Sequence, residues 1–322
     1  MTELPMPDLK YGITMRLHAD ESSFCIPSKD DVDTLPFIVE AQHSAAPLQF
    51  SVTDKLAWHH QNLLGKSVQI TIPENFHGTI KLKNPLKKQH SFDAIKIHAG
   101  KEAKVTVMEE CDPCKVRFTR VQIKAEDNAS VQFVTAHNGG ILWSKREGVT
   151  AKNARIAWFE SIQNAELAYA RTKTTLQEQG SCADAVSTFA GDAGKYDILI
   201  EHDHQAPETK SNILSKGVLD GSATGIAQGK IIIGKDASKS SAFQREHVLL
   251  LGHAAVANAI PQLFIHNHDV ECSHSASVSN VDDHALFYLM TRGIPKQSAM
   301  LRLKESFLAD ALIKMPGADH AQ

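Results

Sequence analysis

The stretch His98-Ala-Gly-Lys-Glu-Ala-Lys-Val105 recurs downstream, and its recurrence determines which fold we expect. It resembles Lys124-Ala-Glu-Asp-Asn-Ala-Ser-Val131, and Thr150-Ala-Lys-Asn-Ala-Arg-Ile156 is a third copy. The shared alanines lie 26 and 25 residues apart, at Ala103, Ala129 and Ala154. A constant period in the twenties is typical of a solenoid, in which each repeat stacks on the next. We expect each alanine in a tight corner facing the interior, with Asn or Gly in the turn beside it.

Short strand-like runs extend outward from this repeat, from Val68 to about Val278. Each run has four to eight residues rich in Val, Ile, Phe or Thr, and polar and apolar residues alternate in most of them. No amphipathic helix of 10 to 15 residues separates the runs, which argues against a βαβ sheet. A sandwich, a barrel or a solenoid remains, and the repeat favours the solenoid. The runs include Val68–Ile72, Thr79–Leu82, Ala94–His98, Lys104–Met108, Val116–Ile123, Ser130–Thr135, Arg155–Phe159, Tyr196–Ile200, Lys230–Ile233, Val248–Leu251 and Gln262–His266.

The two ends of the chain have different patterns. Repeated prolines interrupt residues 1–66, which we interpret as a small N-terminal cap region. The β-helix core is expected to occupy residues 67–280. Residues 281–322 form a C-terminal helical unit, because Asp282–Arg292 has a helical apolar stripe that ends at Gly293 and Pro295 opens a second helix.

Composition excludes several functional classes. The chain has 322 residues, 42% of them apolar, and a formal net charge of −3, so we expect no nucleic-acid partner. No apolar run approaches the roughly 20 residues that cross a bilayer, and the opening residues have no secretory signal, so we expect no membrane association. The five cysteines are an odd, sparse set, which favours a reducing cytoplasm.

The densest group of metal-ligating residue types is His266-Asn-His268-Asp-Val-Glu-Cys272-Ser-His274. Residues two apart in a strand share a face, so His266 would pair with His268 and Cys272 with His274. Thiolate and imidazole are good ligands for iron, zinc or copper(I), and a low-pKa thiol beside a histidine can also receive sulfur. The alternative is that these are solvated side chains on an end strand.

Three other motifs carry weaker signals. Cys111-Asp-Pro-Cys114 is a CxxC pair of the kind that binds zinc or cycles as a disulfide, but it lacks a second ligand pair and also suits a corner between coils. We interpret His202 and His204 as polar surface on an outer face. Gly225-Ile-Ala-Gln-Gly-Lys230 is too short for a phosphate loop, and Ile231 replaces the Ser or Thr that would hold magnesium, so we expect no nucleotide bound by this chain itself.

The C-terminal third carries a series of short motifs that resembles the conserved core of the SufB/SufD family of iron–sulfur cluster assembly scaffolds. The match covers roughly residues 215–310, and it is closer to SufD. The motifs, in order, are Gly229-Lys-Ile-Ile-Ile-Gly, Asp236-Ala, Gln244, Leu249-Leu-Leu, Ala254, Pro261-Gln-Leu-Phe-Ile, Asp269-Val-Glu-Cys272-Ser-His274, Leu286-Phe-Tyr-Leu and Arg292-Gly-Ile.

This resemblance implies a right-handed parallel β-helix capped by C-terminal helices. It implies pairing with a SufB-like subunit or a second copy, docking of a SufC-like ABC ATPase, and a transient cluster of iron and sulfide rather than an enzymatic reaction. The implied metal ligands are Cys272 and His274, with His266 and His268 nearby. The implied partner-binding residues are Leu286, Phe287, Tyr288, Arg292 and Phe307.

The sequence departs from the family pattern at two positions. Ala255 stands where SufB-type chains carry a cysteine, and Ser275 stands where they carry a glutamate after the interface histidine. His274-Ser-Ala replaces the usual His-Gly-Ala. Two alternatives therefore stay open: a β-helix enzyme acting on carbohydrate or a metal-dependent substrate, and a divergent interaction module without cluster chemistry.

Overall fold

The computed structural model describes residues 11–16, 23–25, 38–40, 66–84, 90–111 and 115–314. The described residues form nineteen strands and two helices. The first strands are β1 (Tyr11–Arg16), β2 (Ser23–Cys25), β3 (Ile38–Glu40), β4 (Lys66–Ile72), β5 (His77–Asn84), β6 (His90–Ala99), β7 (Lys104–Cys111), β8 (Val116–Ala125), β9 (Ser130–Asn138) and β10 (Ile141–Thr150). The later strands are β11 (Arg155–Gln163), β12 (Leu167–Leu176), β13 (Cys182–Gly191), β14 (Lys195–His204), β15 (Lys210–Leu219), β16 (Thr224–Ile233), β17 (Ser240–Leu250), β18 (Val256–Ile265) and β19 (Val270–Asn280).

Consecutive strands from β4 onward alternate between two parallel sheets, and this alternation defines a parallel β-solenoid. The first sheet has the order β18-β16-β14-β12-β10-β8-β6-β4-β1-β3, and the second has the order β19-β17-β15-β13-β11-β9-β7-β5-β2. We call two consecutive strands, one from each sheet, a rung. The predicted solenoid is therefore confirmed, while most of the predicted N-terminal cap lies outside the described residues. The proposed division into three domains stays a prediction.

The corners explain the sequence repeat. Ala103, Ala129 and Ala154 are each at most 1% exposed, and they stack at one corner of successive rungs. The residue before each alanine has a positive φ, as at Asn128 (58°) and Asn153 (54°). Asn tolerates this left-handed conformation better than most residues, and a small side chain fits the narrow interior beyond it. The expected pairing of a buried alanine with a turn residue is confirmed.

The interior of the solenoid holds the side chains of alternate strand residues. In β16, for example, every second residue is buried, and Ile231 and Ile233 belong to the main apolar cluster. The pattern also corrects one interpretation: His202 and His204 lie inside the column with 0% exposure and are not polar surface. Alternation alone does not reveal which of the two faces of a strand points inward when both contain polar residues.

Two helices follow the last strand, as predicted: α1 (Asp283–Thr291) and α2 (Lys296–Leu312). The Asp282 side chain accepts a hydrogen bond from the backbone N–H of His284 at 2.9 Å, which caps α1. Gly293, with a φ of 84°, follows α1 in a left-handed conformation. Neither helix is long and apolar enough to cross a bilayer, a finding that concerns the described residues only.

Helix α2 packs on the outer face of the second sheet. Leu308 and Ala311 are buried there, and Leu308 packs with Val218 and Leu249. The Lys216 ammonium in β15 forms an ion pair with Asp310 and donates to the carbonyl oxygen of Phe307 at 2.7 Å. These contacts fix α2 to the β-solenoid close to its last rungs.

Candidate functional site at the final rung

The final rung consists of β18 and β19, which end the two sheets. In β19, Cys272 pairs in register with Ala242 and His274 pairs with Gln244. Ala242 and Gln244 are buried interior residues of β17, so Cys272 and His274 share the inward-facing side. Cys272 is half-buried and packs against the apolar core, whereas His274 is exposed at the open end. The predicted pairing of these two residues on one face agrees with this register.

The chemistry of Cys272 differs from the low-pKa thiol considered above. Burial raises the pKa of the Cys272 thiol above its usual value, and the negative charge of Glu271 raises it further. The sulfur is consequently protonated at neutral pH in this chain by itself. A metal ion or a cationic group from another molecule would have to displace the proton before the sulfur served as a ligand or nucleophile.

The other two predicted ligands, His266 and His268, lie in the corner between β18 and β19 and not within a strand. Strand β18 ends at Ile265, so the expected two-residue alternation does not apply to them. Both side chains are exposed. Within the described ranges, no three His, Cys, Asp or Glu side chains gather closely enough to hold a metal ion. Their role as ligands stays a prediction that needs donors from a second molecule.

The Cys111–Cys114 motif falls largely outside the described residues. Cys114 and the side chain of Cys111 are not described, so its role also stays a prediction. Two cysteines are described as free thiols, Cys182 and Cys272.

A line of polar residues runs through the interior of the second sheet, and the sequence reasoning did not find it. Its members share one register position on successive strands, and we call them the polar row: Glu109, Thr135, Glu160, Ser187, Ser215 and Glu246. All six are buried, and the last lies in the rung directly below the final one. The two-residue alternation of the strand could have revealed it. Gln244 and Glu246 lie at even spacing between Ala242 and Val248, which are buried, and so point to the same face.

The open end also exposes apolar side chains. Five large apolar residues of the final rung are each more than a third exposed: Val256, Ile260, Phe264, Ile265 and Val278. In the described part of the chain, β18 and β19 are each hydrogen-bonded to a strand on one side only. An exposed strand edge with apolar side chains is a typical surface for pairing with another chain.

The predicted partner-binding residues fall into two groups. Phe287 and Tyr288 in α1 are 68% and 56% exposed, and the exposed Arg292 guanidinium lies 5.2 Å from the Tyr288 ring centre. Leu286 is half-buried. Phe307 is also half-buried, because the Lys216 ammonium lies 4.6 Å from its ring centre where α2 meets the sheet.

These features define the class of the protein: a parallel β-solenoid whose open end presents a cysteine and a histidine next to a pair of helices. The family profile described as "SUF system FeS cluster assembly, SufBD core domain" matches residues 82–307. The chain belongs to this family of iron–sulfur cluster assembly proteins. The match begins well before residue 215, so the resemblance at the C-terminal third underestimated its extent.

Individual relatives agree with the family assignment. The iron–sulfur cluster assembly protein SufD of Bacillus subtilis is 28% identical over 280 residues, which cover 81% of this chain and 63% of that protein. A SufBD family protein of Synechocystis is 25% identical over 242 residues, covering 70% of this chain and 50% of that protein. A SufBD family protein of Staphylococcus saprophyticus is 25% identical over 290 residues, which cover 84% of this chain and 60% of that protein. The chain thus spans between half and two thirds of the length of these relatives.

Proposed function

We propose that this chain is a scaffold subunit that helps to assemble a transient iron–sulfur cluster at an interface formed by its final rung. The partner at that interface would be a SufB-like subunit or a second copy of the chain. The observation that carries the proposal is the position of Cys272 and His274 on one face of the open rung. An inward-facing thiol and imidazole at an open end are accessible to a partner and shielded from bulk water once that partner is in place.

The exposed edge supports pairing with another β-helix. Backbone N–H and C=O groups at a sheet edge are satisfied when a further strand adds to it, and Ile260, Phe264 and Val278 would then lose water-exposed apolar surface. The same addition would complete the ligand set, because iron in clusters commonly has four protein and sulfide ligands in total. Cys272 and His274 supply two donors, and the partner would supply the others.

The raised pKa of Cys272 fits a role that depends on assembly. A free subunit keeps the thiol protonated, which protects it from oxidation, since the thiolate is the reactive form. Binding of iron would release the proton and stabilise the thiolate. The cluster site would therefore form only when iron and the second subunit are both present.

We also propose that the exposed face of α1 docks an ABC ATPase of the SufC type, while this chain binds no nucleotide itself. Phe287 and Tyr288 are large, exposed aromatic residues, and aromatic residues with a neighbouring arginine are enriched at the centres of protein interfaces. The ion pair between Lys216 and Asp310 would hold the neighbouring α2 against the solenoid while the ATPase is bound. Force or movement at the helices would reach the rungs next to the cluster site.

The outer face of the first sheet bears on the alternative of a carbohydrate-active β-helix enzyme. Such enzymes need carboxylates that are available to substrate. Glu147 instead accepts from Arg120 at 3.0 Å, and Glu201 contacts Lys173 at 2.7 Å and Lys230 at 3.0 Å. This charge pairing favours a structural surface over a catalytic groove.

The decisive experiment is anaerobic co-expression with a SufB-like subunit and an ABC ATPase from the same organism. We expect a complex whose iron and sulfide content falls after Cys272→Ser or His274→Ala, and we expect no loss after Cys182→Ser, the matched change at the other described free thiol. Phe287→Ala with Tyr288→Ala should release the ATPase, while Leu167→Ala, which truncates an exposed apolar residue on β12, should not. A complex that keeps its cluster without Cys272 and His274, or a chain that never retains the ATPase, would contradict the proposal.

A further inference from the structure

The three carboxylates of the polar row have different partners. Glu109 forms a buried ion pair with Arg117, and Glu160 forms one with Arg146. Glu246 has no hydrogen-bond or ion-pair partner at either carboxylate oxygen within the described ranges, although it is 0% exposed. A buried carboxylate is normally paired, coordinates a metal or takes up a proton, and the described residues supply Glu246 with no paired group.

The position that would supply an arginine to Glu246 holds a glycine. Arg146 is in register with Thr172, then Ile200 and then Gly229 on the next strands of the first sheet. Gly229 therefore stands at the same interior position as Arg146, three strands further along. A Cβ atom on Gly229 would collide with Glu246 Oε1 and would lie 2.8 Å from Gln244 Oε1. Both side chains thus direct oxygen atoms at the space over this glycine.

The groups around that space are oxygen acceptors. Gln244 donates from Nε2 to the carbonyl oxygen of Gln262 at 3.3 Å, which orients its Oε1 toward the interior without a partner. The Ser215 hydroxyl, in register with Glu246 on the adjacent strand, also lacks a partner. Both residues are only 1% exposed. Carboxylate, amide and hydroxyl oxygens together match the ligand preference of hard divalent cations such as Mg²⁺, Mn²⁺ and Fe²⁺.

We propose that Glu246, Gln244 and Ser215 form an interior binding site for a divalent cation, with Gly229 leaving the room into which the Glu246 carboxylate turns. The cation takes the electrostatic role that Arg146 has for Glu160. Burial raises the pKa of Glu246 to about 7, and a bound cation would lower it again. The site lies one rung below Cys272 and His274. Its existence does not depend on the proposed role in cluster assembly.

The test uses the full chain after a chelator has stripped it of metal. Binding of Mn²⁺ alone is then measured by the loss of the free-ion signal in electron paramagnetic resonance. We expect one bound Mn²⁺ per chain and a rise in thermal unfolding temperature on binding. Glu246→Gln should weaken the affinity by about tenfold or more, and Gly229→Ala should do the same because its Cβ would displace the Glu246 carboxylate. Glu271→Gln removes an exposed carboxylate from the final rung and should leave binding unchanged.

The combined change of Cys272→Ser and His274→Ala separates this site from the proposed cluster site, because Mn²⁺ binding should survive it. Circular dichroism establishes whether each variant is folded. If Glu246→Gln or Gly229→Ala does not fold, Gln244→Leu is used in its place to remove a proposed ligand. The proposal is overturned if the wild-type chain has no site tighter than about 1 mM, or if Glu246→Gln binds Mn²⁺ as well as the wild type does. Loss of binding in the Cys272/His274 variant but not in Glu246→Gln would also overturn it.

Discussion

Acidification should destabilise this protein through two histidines that the solenoid buries in its interior. His202 and His204 both face inward from β14 and are fully buried. The pKa of each is lowered from 6.5 to about 3, chiefly by burial and, for His204, also by the neighbouring His202. The unfolded chain takes up a proton at each position below pH 6.5, whereas the folded chain does not. The free energy of unfolding is therefore highest above pH 6.5 and falls as the pH decreases toward 3.

The size of the effect follows from the two pKa values. Below the pKa of 6.5 that each histidine has in the unfolded chain, protonation favours the unfolded state by about 1.36 kcal/mol for each pH unit. At pH 5 each histidine therefore costs about 2 kcal/mol of stability. Together they remove roughly 4 kcal/mol, a large share of the 5–15 kcal/mol that is typical of folded domains. Urea unfolding followed by circular dichroism at pH 7.5 and pH 5 measures this difference directly.

Two variants separate the contributions of the histidines. His202 has no hydrogen-bond partner at either ring nitrogen in the described structure, so His202→Leu should leave stability at pH 7.5 nearly unchanged and remove about half of the pH dependence. His204 contacts Thr209 Oγ1 at 2.7 Å and Ser211 Oγ at 2.8 Å. His204→Leu should cost about 1–3 kcal/mol at pH 7.5, since it leaves two buried hydroxyls without that partner. The control is His266→Leu, which changes an exposed histidine. An unchanged pH dependence in both buried variants would refute this reasoning.

Three further changes test the packing of the solenoid. Arg146→Leu should lower the free energy of unfolding by about 3–5 kcal/mol by leaving Glu160 as an uncompensated buried charge, and adding Glu160→Leu should restore most of it in urea unfolding; equal stability of the single and double variants would contradict this. Gly217→Ala should cost about 1–3 kcal/mol in calorimetry because its Cβ would overlap the Phe189 ring, with Phe189→Leu as the compensating change; a neutral Gly217→Ala would show that the ring moves freely. Asp282→Ala should cost about 1 kcal/mol through loss of the α1 cap and speed amide exchange in that helix, while Asp282→Asn should retain both; equal exchange in the two variants would argue against the cap.

Some elements were predictable because their signals are local. The corner alanines and the adjacent left-handed residues are a few positions apart, and each reflects backbone sterics that act on a single turn. The start of α1 was likewise predictable from Asp282, since capping joins neighbouring residues. The family motifs at the final rung located Cys272 and His274, and the register then placed them on one face.

Other elements gave little local signal. Strands β10, β12, β13 and β15 were not among the named runs. In β12 the buried positions hold only Ala and Thr, except for Leu176 at its end, so the strand lacks the Val and Ile that make alternation visible. Small residues suffice there because the neighbouring rungs, above and below, already fill the interior. That packing involves residues 25 to 30 positions away, which single-strand patterns do not include.

Amino-acid order by itself determined that short strands repeat with a constant period, that small residues occupy the corners and that two helices follow. Those features depend on backbone conformation and hydrophobic alternation, which act over a few residues. Only the tertiary structure decided which polar side chains share the interior: it buried His202 and His204, and it placed Gly229 opposite Glu246 where an arginine faces Glu160. The reason is that the facing residues belong to different sheets, and the stacking of whole rungs sets their register.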